Sequence, residues 1–278
     1  MLAVILPKGE DKLFGALLFQ KCKDFKVYVP EDDPLAPEYE ARLSLQTGSL
    51  NQVQEALCCV LEPGAVPDKD FVRRVLRTAG RHPDFDVYHV NLPETEPFPR
   101  KVKVDKLFEL TVLEGVQAPL SSFVFRTARL REKAVFRADG SLDPLPTILA
   151  CAQGKAVRNV WRQTLEWTAP PVAQDPVSVE KRIRERLDFF HWTEAFFGED
   201  DYPLGTGDRL DLIAGEIAKL YPSYTPEELK ELMGSFQVSQ GVLRKVRASQ
   251  ALNAAIKDRQ KQLQQGITAD KAGLPAGR

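Results

Sequence analysis

The sequence predicts an α/β domain with a mainly parallel sheet, followed by a helical region. Two short apolar runs, at residues 2–6 and 57–61, are typical of strands that are buried on both faces. A helical pattern over residues 12–20 lies between the first run and a further strand at 25–29. This order of strand, helix and strand is a βαβ unit, so we expect the two strands to be parallel neighbours.

The alternation of strands and helices continues to residue 161. Gly154 stands just past the last predicted helix of this part, where glycine commonly ends helices. The remaining predicted elements are helices at 49–56, 68–76, 128–133 and 146–153 and strands at 85–90, 122–125 and 157–161.

Three prolines divide the chain. Pro170, Pro171 and Pro176 predict a linker over 168–179, between an α/β domain at 1–167 and a helical region at 180–278. Helical patterns occupy 179–190, 210–220, the residues after Thr225, and 239–265. The last of these is basic, and we expect either a solvated helix or one that touches anionic lipid.

Composition excludes several classes of protein. Among 278 residues, 43% are hydrophobic and the net charge is −1, which does not suit a protein that coats nucleic acid. The sequence shows neither the pattern of a signal peptide nor a membrane-spanning apolar stretch. We therefore expect a cytoplasmic protein, with any membrane contact peripheral and at the inner face. The four cysteines form no C-x-x-C pair, so reduced thiols are expected rather than a zinc site.

Three stretches carry a family-level pattern. In the first, an apolar strand ends in Pro7 and the next strand ends in Asp32-Asp33. In the second, a predicted helix with Asn51 precedes a strand that ends at Glu62. In the third, the strand at 121–126 is followed by Asp143 and a helix that ends in glycine. In the order and spacing of these elements, residues 1–165 resemble the family 2 glycosyltransferases of the GT-A type.

The resemblance implies both an activity and its residues. The activity is inverting transfer of a sugar, of the hexosyltransferase type, from a nucleotide-sugar donor to a saccharide, lipid-linked or protein acceptor. Such transfer needs a carboxylate that takes the proton of the acceptor hydroxyl and positive charge near the departing diphosphate. The implied assignments are Asp143 as general base, Glu62 as the ligand of Mg²⁺ or Mn²⁺, and Pro7, Asp32, Asp33 and Asn51 as the nucleotide-sugar site.

Each assignment has a structural alternative. The turn at Glu62 reads Glu-Pro-Gly where the family has Asp-x-Asp, so Glu62 is either a metal ligand or a solvated turn residue. Asp143 is also suited to be a helix N-cap. Asp32 and Asp33 also fit an acidic loop, and Asn51 an exposed helix position. These alternatives favour a second hypothesis, a catalytically inactive GT-A-like domain that serves as a binding or scaffold protein.

Three basic residues are candidates for neutralising phosphate. They are Arg126, Lys155 and Arg158, which flank or lie within the predicted strands at 122–125 and 157–161. Ordinary surface solvation is the alternative for each.

Overall fold

The computed structural model divides into two compact units, Met1–Pro171 and Val172–Arg278. It describes residues 1–93, 98–112, 116–137, 139–160, 164–168, 176–198 and 203. The division between the units falls inside the predicted linker at 168–179.

Eight strands of the first unit form one sheet, and two short strands form a separate ribbon. Counted along the chain, the strands are β1 (Leu2–Ile5), β2 (Phe25–Val29), β3 (Leu45–Thr47), β4 (Leu57–Val60), β5 (Ala65–Pro67), β6 (Val87–Val90), β7 (Lys101–Lys103), β8 (Phe123–Arg126), β9 (Ala156–Val160) and β10 (Leu165–Trp167). The sheet has the order β3-β2-β1-β4-β8-β6-β9-β7, and β5 pairs with β10.

Six of the eight strands run in one direction. The pairs β1–β2, β1–β4, β2–β3 and β6–β9 are parallel. Only β8, which lies between β4 and β6, and the edge strand β7 run in the opposite direction. The prediction of a mainly parallel α/β sheet is therefore confirmed, and the carboxyl ends of β1, β2, β4 and β6 meet at one edge.

The helices of the first unit follow the strands closely. They are α1 (Asp11–Leu18), α2 (Ala36–Tyr39), α3 (Phe71–Arg81), α4 (Val104–Val112), α5 (Thr127–Lys133) and α6 (Pro144–Ala152). Gly154 has a φ of +77° just beyond α6, as predicted for the residue that ends this helix. The second unit contributes one described helix, α7 (Pro176–Phe197). The predicted helices at 210–220, after Thr225 and at 239–265 lie outside the described residues.

The core follows from the alternation of strand side chains. Leu2, Val4 and Leu6 point to one face of the sheet and pack with Leu13 and Phe14 of α1. Residues of the opposite parity, among them Ala3 and Cys58, are also fully buried. Both faces of the sheet are thus covered, which is the usual reason that parallel strands read as continuous apolar runs. Among the described residues, no helix is both long and apolar enough to cross a membrane.

One predicted helix is wrong. Residues 49–56 form only a single 3₁₀ turn, Leu50–Gln52, and the backbone is extended at Val53 and bends at Glu55 before β4 begins. Ser49 and Gln52 cap that turn reciprocally, so the local signal for a helix start was real. The chain leaves the turn at Val53, and both Val53 and Glu55 are buried in the segment that leads into β4.

Candidate active site

The candidate residues lie on loops at the carboxyl edge of the sheet. Parallel α/β sheets bind ligands at this edge, since the loops after neighbouring strands meet there. The loops after β1, β2 and β4 carry Pro7, Asp32-Asp33 and Glu62, respectively. Because β8 is antiparallel to β4, its start also lies at this edge and brings Ser121 to Glu62.

Asp33 joins the first two loops. Its carboxylate accepts a 2.6 Å hydrogen bond from the backbone N–H of Gly9 and a 3.0 Å bond from that of Leu35. A β-carbon on Gly9 would lie 2.7 Å from one Asp33 oxygen and 2.5 Å from the ring of Phe14. The sequence therefore needs glycine at position 9, and the buried Asp33 fixes the shape of the loops.

The other residues predicted for the nucleotide-sugar are exposed. Pro7 and Asp32 are solvent-accessible on the two loops that Asp33 ties together. Asn51 is exposed on the 3₁₀ turn, which begins where the N–H of Gly48 donates to the carbonyl of Val29 at the end of β2. All three are open to a ligand, and Asp33 is the member of the set with a structural role.

Glu10 connects the β1 loop to the turn after β4. One oxygen of Glu10 accepts a 3.1 Å hydrogen bond from the N–H of Gly64. Gly64 has a φ of +86°, and a β-carbon there would come within 2.7 Å of the carbonyl oxygen of Thr168. The Glu62-Pro63-Gly64 turn is therefore built around a glycine that no other residue replaces without strain.

Glu62 is partly buried and paired with Ser121. Ser121 Oγ accepts a 2.8 Å hydrogen bond from the N–H of Glu62 and donates to its Oε2 at 3.3 Å. Burial raises the pKa of Glu62, and the bonds from Ser121 and the positive charge of Arg137 offset part of that rise. The carboxylate is thus desolvated yet near cationic charge, which is unlike a solvated turn residue.

Asp143 lies on a short hairpin with Arg137. The N–H of Asp143 donates to the carbonyl of Val135, and that of Arg137 donates to the carbonyl of Ser141, both at 2.8 Å. Because strand residues alternate between faces, Arg137 and Asp143 share one side of this hairpin. Arg137 Nη2 lies 3.7 Å from Asp143 Oδ1. Asp143 is also the N-cap residue of α6, although its side chain makes no cap hydrogen bond.

Arg137 brings the two predicted acids into one electrostatic group. Its guanidinium pairs with Asp143 and also acts on Glu62, which is 81 positions earlier than Asp143 in the chain. Arg137 was not among the residues predicted from the sequence. The turn dipeptide Asp139-Gly140 and the alternation on either side of it were the signals that could have found the pairing.

The donor set for a metal ion is small. Mg²⁺ in nucleotide sites is commonly bound by only one or two carboxylates, with phosphate oxygens and water as the other ligands. Glu62 satisfies the lower limit of that requirement. Across the described parts of the chain, no group of three or more His, Cys, Asp or Glu side chains is placed to hold a metal ion.

Two cysteines and one histidine among the described residues are unsuitable as nucleophiles or bases. All four cysteines are free, and burial raises the pKa of Cys58 and of Cys151 to about 12, so neither thiol ionises at neutral pH. His89 lies between the rings of Phe98 and Phe123, with centroids at 4.1 and 4.9 Å. Burial lowers its pKa to about 3, so it stays neutral.

The three basic residues predicted to neutralise phosphate face away from this edge. Arg126 donates to the carbonyl of Pro83, Lys155 pairs with Asp86 at 3.0 Å, and Arg158 contacts His82. These partners all precede β6 and therefore lie at the amino edge of the sheet. The prediction for these residues is corrected because β8 ends, and β9 begins, at the edge opposite Glu62.

Comparison with solved structures identifies the architecture. A mannosyltransferase from Pyrobaculum calidifontis, in complex with GDP-Man and Mn²⁺, matches at a TM-score of 0.50 and 14% identity, over 93% of this chain and 86% of that one. The chain has a GT-A-like fold. The family-level resemblance is thereby confirmed for the fold.

Other solved structures match the GT-A-like fold at lower scores. S. aureus TarS 1-349 in complex with UDP-GlcNAc gives a TM-score of 0.49 at 14% identity, over 95% of this chain and 92% of that one. Glucosyl-3-phosphoglycerate synthase from Mycobacterium tuberculosis, in complex with Mn²⁺, UDP and phosphoglyceric acid, gives 0.46 at 11%, over 69% and 78%. No protein-family model and no curated protein matches the sequence.

Proposed function

We propose that the first unit transfers a sugar from a nucleotide-sugar donor to an acceptor hydroxyl by inverting displacement. The observation that carries the proposal is the grouping of Glu62 and Asp143 around Arg137, at the edge where GT-A-like sheets have open loops. The departing diphosphate needs positive charge, and the attacking hydroxyl needs a base. In this group, Arg137 supplies the positive charge and Asp143 supplies the base.

The donor is held by the loops after β1, β2 and β3. Pro7, Asp32 and Asn51 are exposed and contact the nucleoside, with Asp32 accepting hydrogen bonds from ribose or base. Asp33 acts by holding the backbone of Gly9 and Leu35 in place.

Asp143 is the general base. Its side chain is 29% exposed, so an acceptor hydroxyl can reach it. The acceptor oxygen attacks the anomeric carbon from the face opposite the leaving diphosphate, and Asp143 takes the proton as the new bond forms. The hairpin backbone bonds and the N-cap position fix where this carboxylate stands.

Glu62 is the ligand for Mg²⁺ or Mn²⁺. A bound ion would add positive charge beside the departing diphosphate. The hydrogen bonds from Ser121 orient the Glu62 carboxylate. The acceptor is a saccharide, a lipid-linked sugar or a protein side chain. We place the protein in the cytoplasm, at most peripheral to the inner membrane face, and without a nucleic-acid partner.

Thermal shift with a panel of nucleotide-sugars tests donor binding. The panel contains GDP-Man, which the mannosyltransferase of similar fold binds, together with UDP- and ADP-sugars, each with Mn²⁺ and with EDTA. We expect one donor class to raise the midpoint of unfolding, more so with Mn²⁺. Silence across the panel would contradict the proposal and favour an inactive GT-A-like domain that serves as a binding or scaffold protein.

Asp143→Asn tests the base. We expect transfer to fall by about 100-fold or more, with donor affinity and thermal midpoint unchanged, since asparagine keeps the shape but cannot take a proton. Asp105→Asn is the matched control, because Asp105 is an exposed acid in the first turn of α4. Retained transfer in Asp143→Asn would remove Asp143 from the mechanism.

A further inference from the structure

Arg137 has more hydrogen-bonding capacity than its contacts use. A guanidinium carries five N–H donors. In the part of the chain that the structure describes, the contact of its side chain at ion-pair distance is that with Asp143, at 3.7 Å. This separation exceeds that of a charge-assisted hydrogen bond, which is about 2.7–2.9 Å. The side chain is 39% exposed, so its donors are open to a ligand.

Stability does not account for this placement. A half-exposed ion pair of this length contributes roughly 0–1 kcal/mol. The hairpin is already held by the two backbone hydrogen bonds that form the antiparallel bridge between Phe136 and Leu142. Arg137 thus pairs with Asp143 and acts electrostatically on Glu62, without a structural need for its charge.

An anionic ligand at this edge would need a cation that offsets the acids around it. Glu10, Asp32, Glu62 and Asp143 all lie on these loops or on the hairpin beside them, and a nucleoside diphosphate would add further negative charge. Arg126, Lys155 and Arg158 are at the other edge. Arg137 is the described guanidinium whose charge acts on both Glu62 and Asp143.

We propose that Arg137 binds the diphosphate of the donor and stabilises it as a leaving group. This inference rests on the proposed function and adds a residue that the family resemblance did not assign. In the transfer step, the bond between the anomeric carbon and the β-phosphate oxygen breaks and its electron pair stays on that oxygen. The acceptor oxygen forms the new bond and its proton passes to Asp143. Arg137 meets the added charge with a bidentate pair of N–H donors.

Calorimetric titration of UDP and GDP, compared with UMP and GMP in EDTA, tests the proposal. The variants are Arg137→Gln and Arg137→Lys. We expect the glutamine variant to bind the diphosphate at least about 10-fold more weakly while monophosphate affinity changes less than about 3-fold. Lysine keeps the charge but loses the fork, so an intermediate and equally selective loss is expected. Should the glutamine variant not fold, the selective loss of diphosphate affinity in the lysine variant decides the test alone.

Arg73→Gln is the matched control. Arg73 is an exposed arginine paired with a carboxylate, Asp70, at 2.8 Å on α3, and we expect no change in either affinity. Equal losses of mono- and diphosphate binding in Arg137→Gln would mean a structural role and would overturn the inference. Unchanged diphosphate affinity would overturn it as well, with the proposed function intact. If the wild-type chain binds none of the four nucleotides, either in EDTA or with Mn²⁺, the proposed function fails and this inference fails with it.

Discussion

Glu62 is kept at a cost in stability. Its pKa is raised because the carboxyl group is partly buried, and the bonds from Ser121 and the charge of Arg137 do not fully compensate. A folded-state pKa above the unfolded value means that the protonated form suits the fold best. Its favourable contribution is therefore present below the unfolded pKa and is lost as pH rises through the folded pKa. At neutral pH, the folded state would therefore be more stable if the Glu62 carboxyl group carried no charge.

Glu62→Gln should separate stability from binding. Glutamine keeps the acceptor for Ser121 without the charge, so we expect a higher thermal midpoint than wild type at pH 7.5 and no difference near pH 4. Metal-dependent nucleotide binding should weaken by about 10-fold or more. Melting curves from pH 4 to 8 and titrations of nucleoside diphosphate with and without Mn²⁺ measure the two effects. Equal stability and equal affinity at pH 7.5 would show that the turn is merely structural.

At the level of single residues, sequence predicted positions better than partners. Glu62 and Asp143 were placed at the end of a strand and the start of a helix, where the structure has them. Asp33 was predicted to bind the nucleotide-sugar, and its carboxylate accepts hydrogen bonds from the backbone N–H groups of Gly9 and Leu35. Such partners depend on which loops meet in three dimensions, and spacing along the chain does not contain that information.

At the level of elements, a buried carboxylate links β2 to the segment that precedes β4. The side chain of Glu55 is fully buried just before β4, and it accepts a 2.8 Å hydrogen bond from Tyr28 Oη on β2. Lys26 on the same strand lies 3.0 Å from the second oxygen. Burial alone would raise the pKa of Glu55, but the contacts with Tyr28 and Lys26 outweigh it and the pKa is lowered. The contact also accounts for the non-helical path of residues 53–56, because it places the Glu55 side chain against β2.

Glu55→Gln should destabilise the fold by about 1–3 kcal/mol at pH 7, because Lys26 and Tyr28 lose the charge that they pair with. A lowered folded-state pKa gives stability that is present above the unfolded value and lost as pH falls through the folded one. The gap between variant and wild type should therefore narrow as pH falls below the unfolded value of about 4.3. Denaturant titrations at pH 7 and pH 3.5 measure this difference in stability.

Glu109→Gln is the control, because Glu109 is in an exposed pair with Lys106. This variant should change stability by less than about 0.5 kcal/mol. A similar loss of stability in both variants would refute the argument.

Elements with a local signal were predicted and those without one were missed. The strand at 25–29 was predicted to the residue, and α5 and β9 to within one residue at either end. The ribbon of β5 and β10 was not predicted, since each strand has three residues and the partners are about 100 positions apart. The edge strand β7, with Lys101 and Lys103 exposed around a single buried valine, likewise has too few apolar residues for a strand pattern.

For the whole molecule, the sequence predicted the order of the layers but not the sheet order. The βαβ reading implied parallel neighbours at β1 and β2, as found. The insertion of antiparallel β8 between β4 and β6 was not predictable, because β8 is as apolar as its neighbours and apolarity does not encode direction. That insertion matters for function, since it turns Ser121 toward Glu62.

The first unit contains every residue that the proposed chemistry uses. The main hydrophobic cluster extends from Leu2 to Leu165, and the candidate residues run from Pro7 to Asp143. A chain that ends at Pro171 therefore retains a complete sheet with both faces covered. Units with their own core commonly fold alone.

We expect the chain 1–171 to unfold in one cooperative transition and to bind the same nucleotide as the full chain, with affinity within about 3-fold, because all donor contacts are internal to it. Its thermal midpoint should lie within roughly 4 °C of the corresponding transition of the full chain, the shift that about 1 kcal/mol produces in a domain of this size. Calorimetry with and without the nucleotide measures both. A gradual, non-cooperative melt would show that the sheet requires residues 172–278. A cooperative melt without nucleotide binding would instead contradict the expectation that residues 1–171 contain all donor contacts.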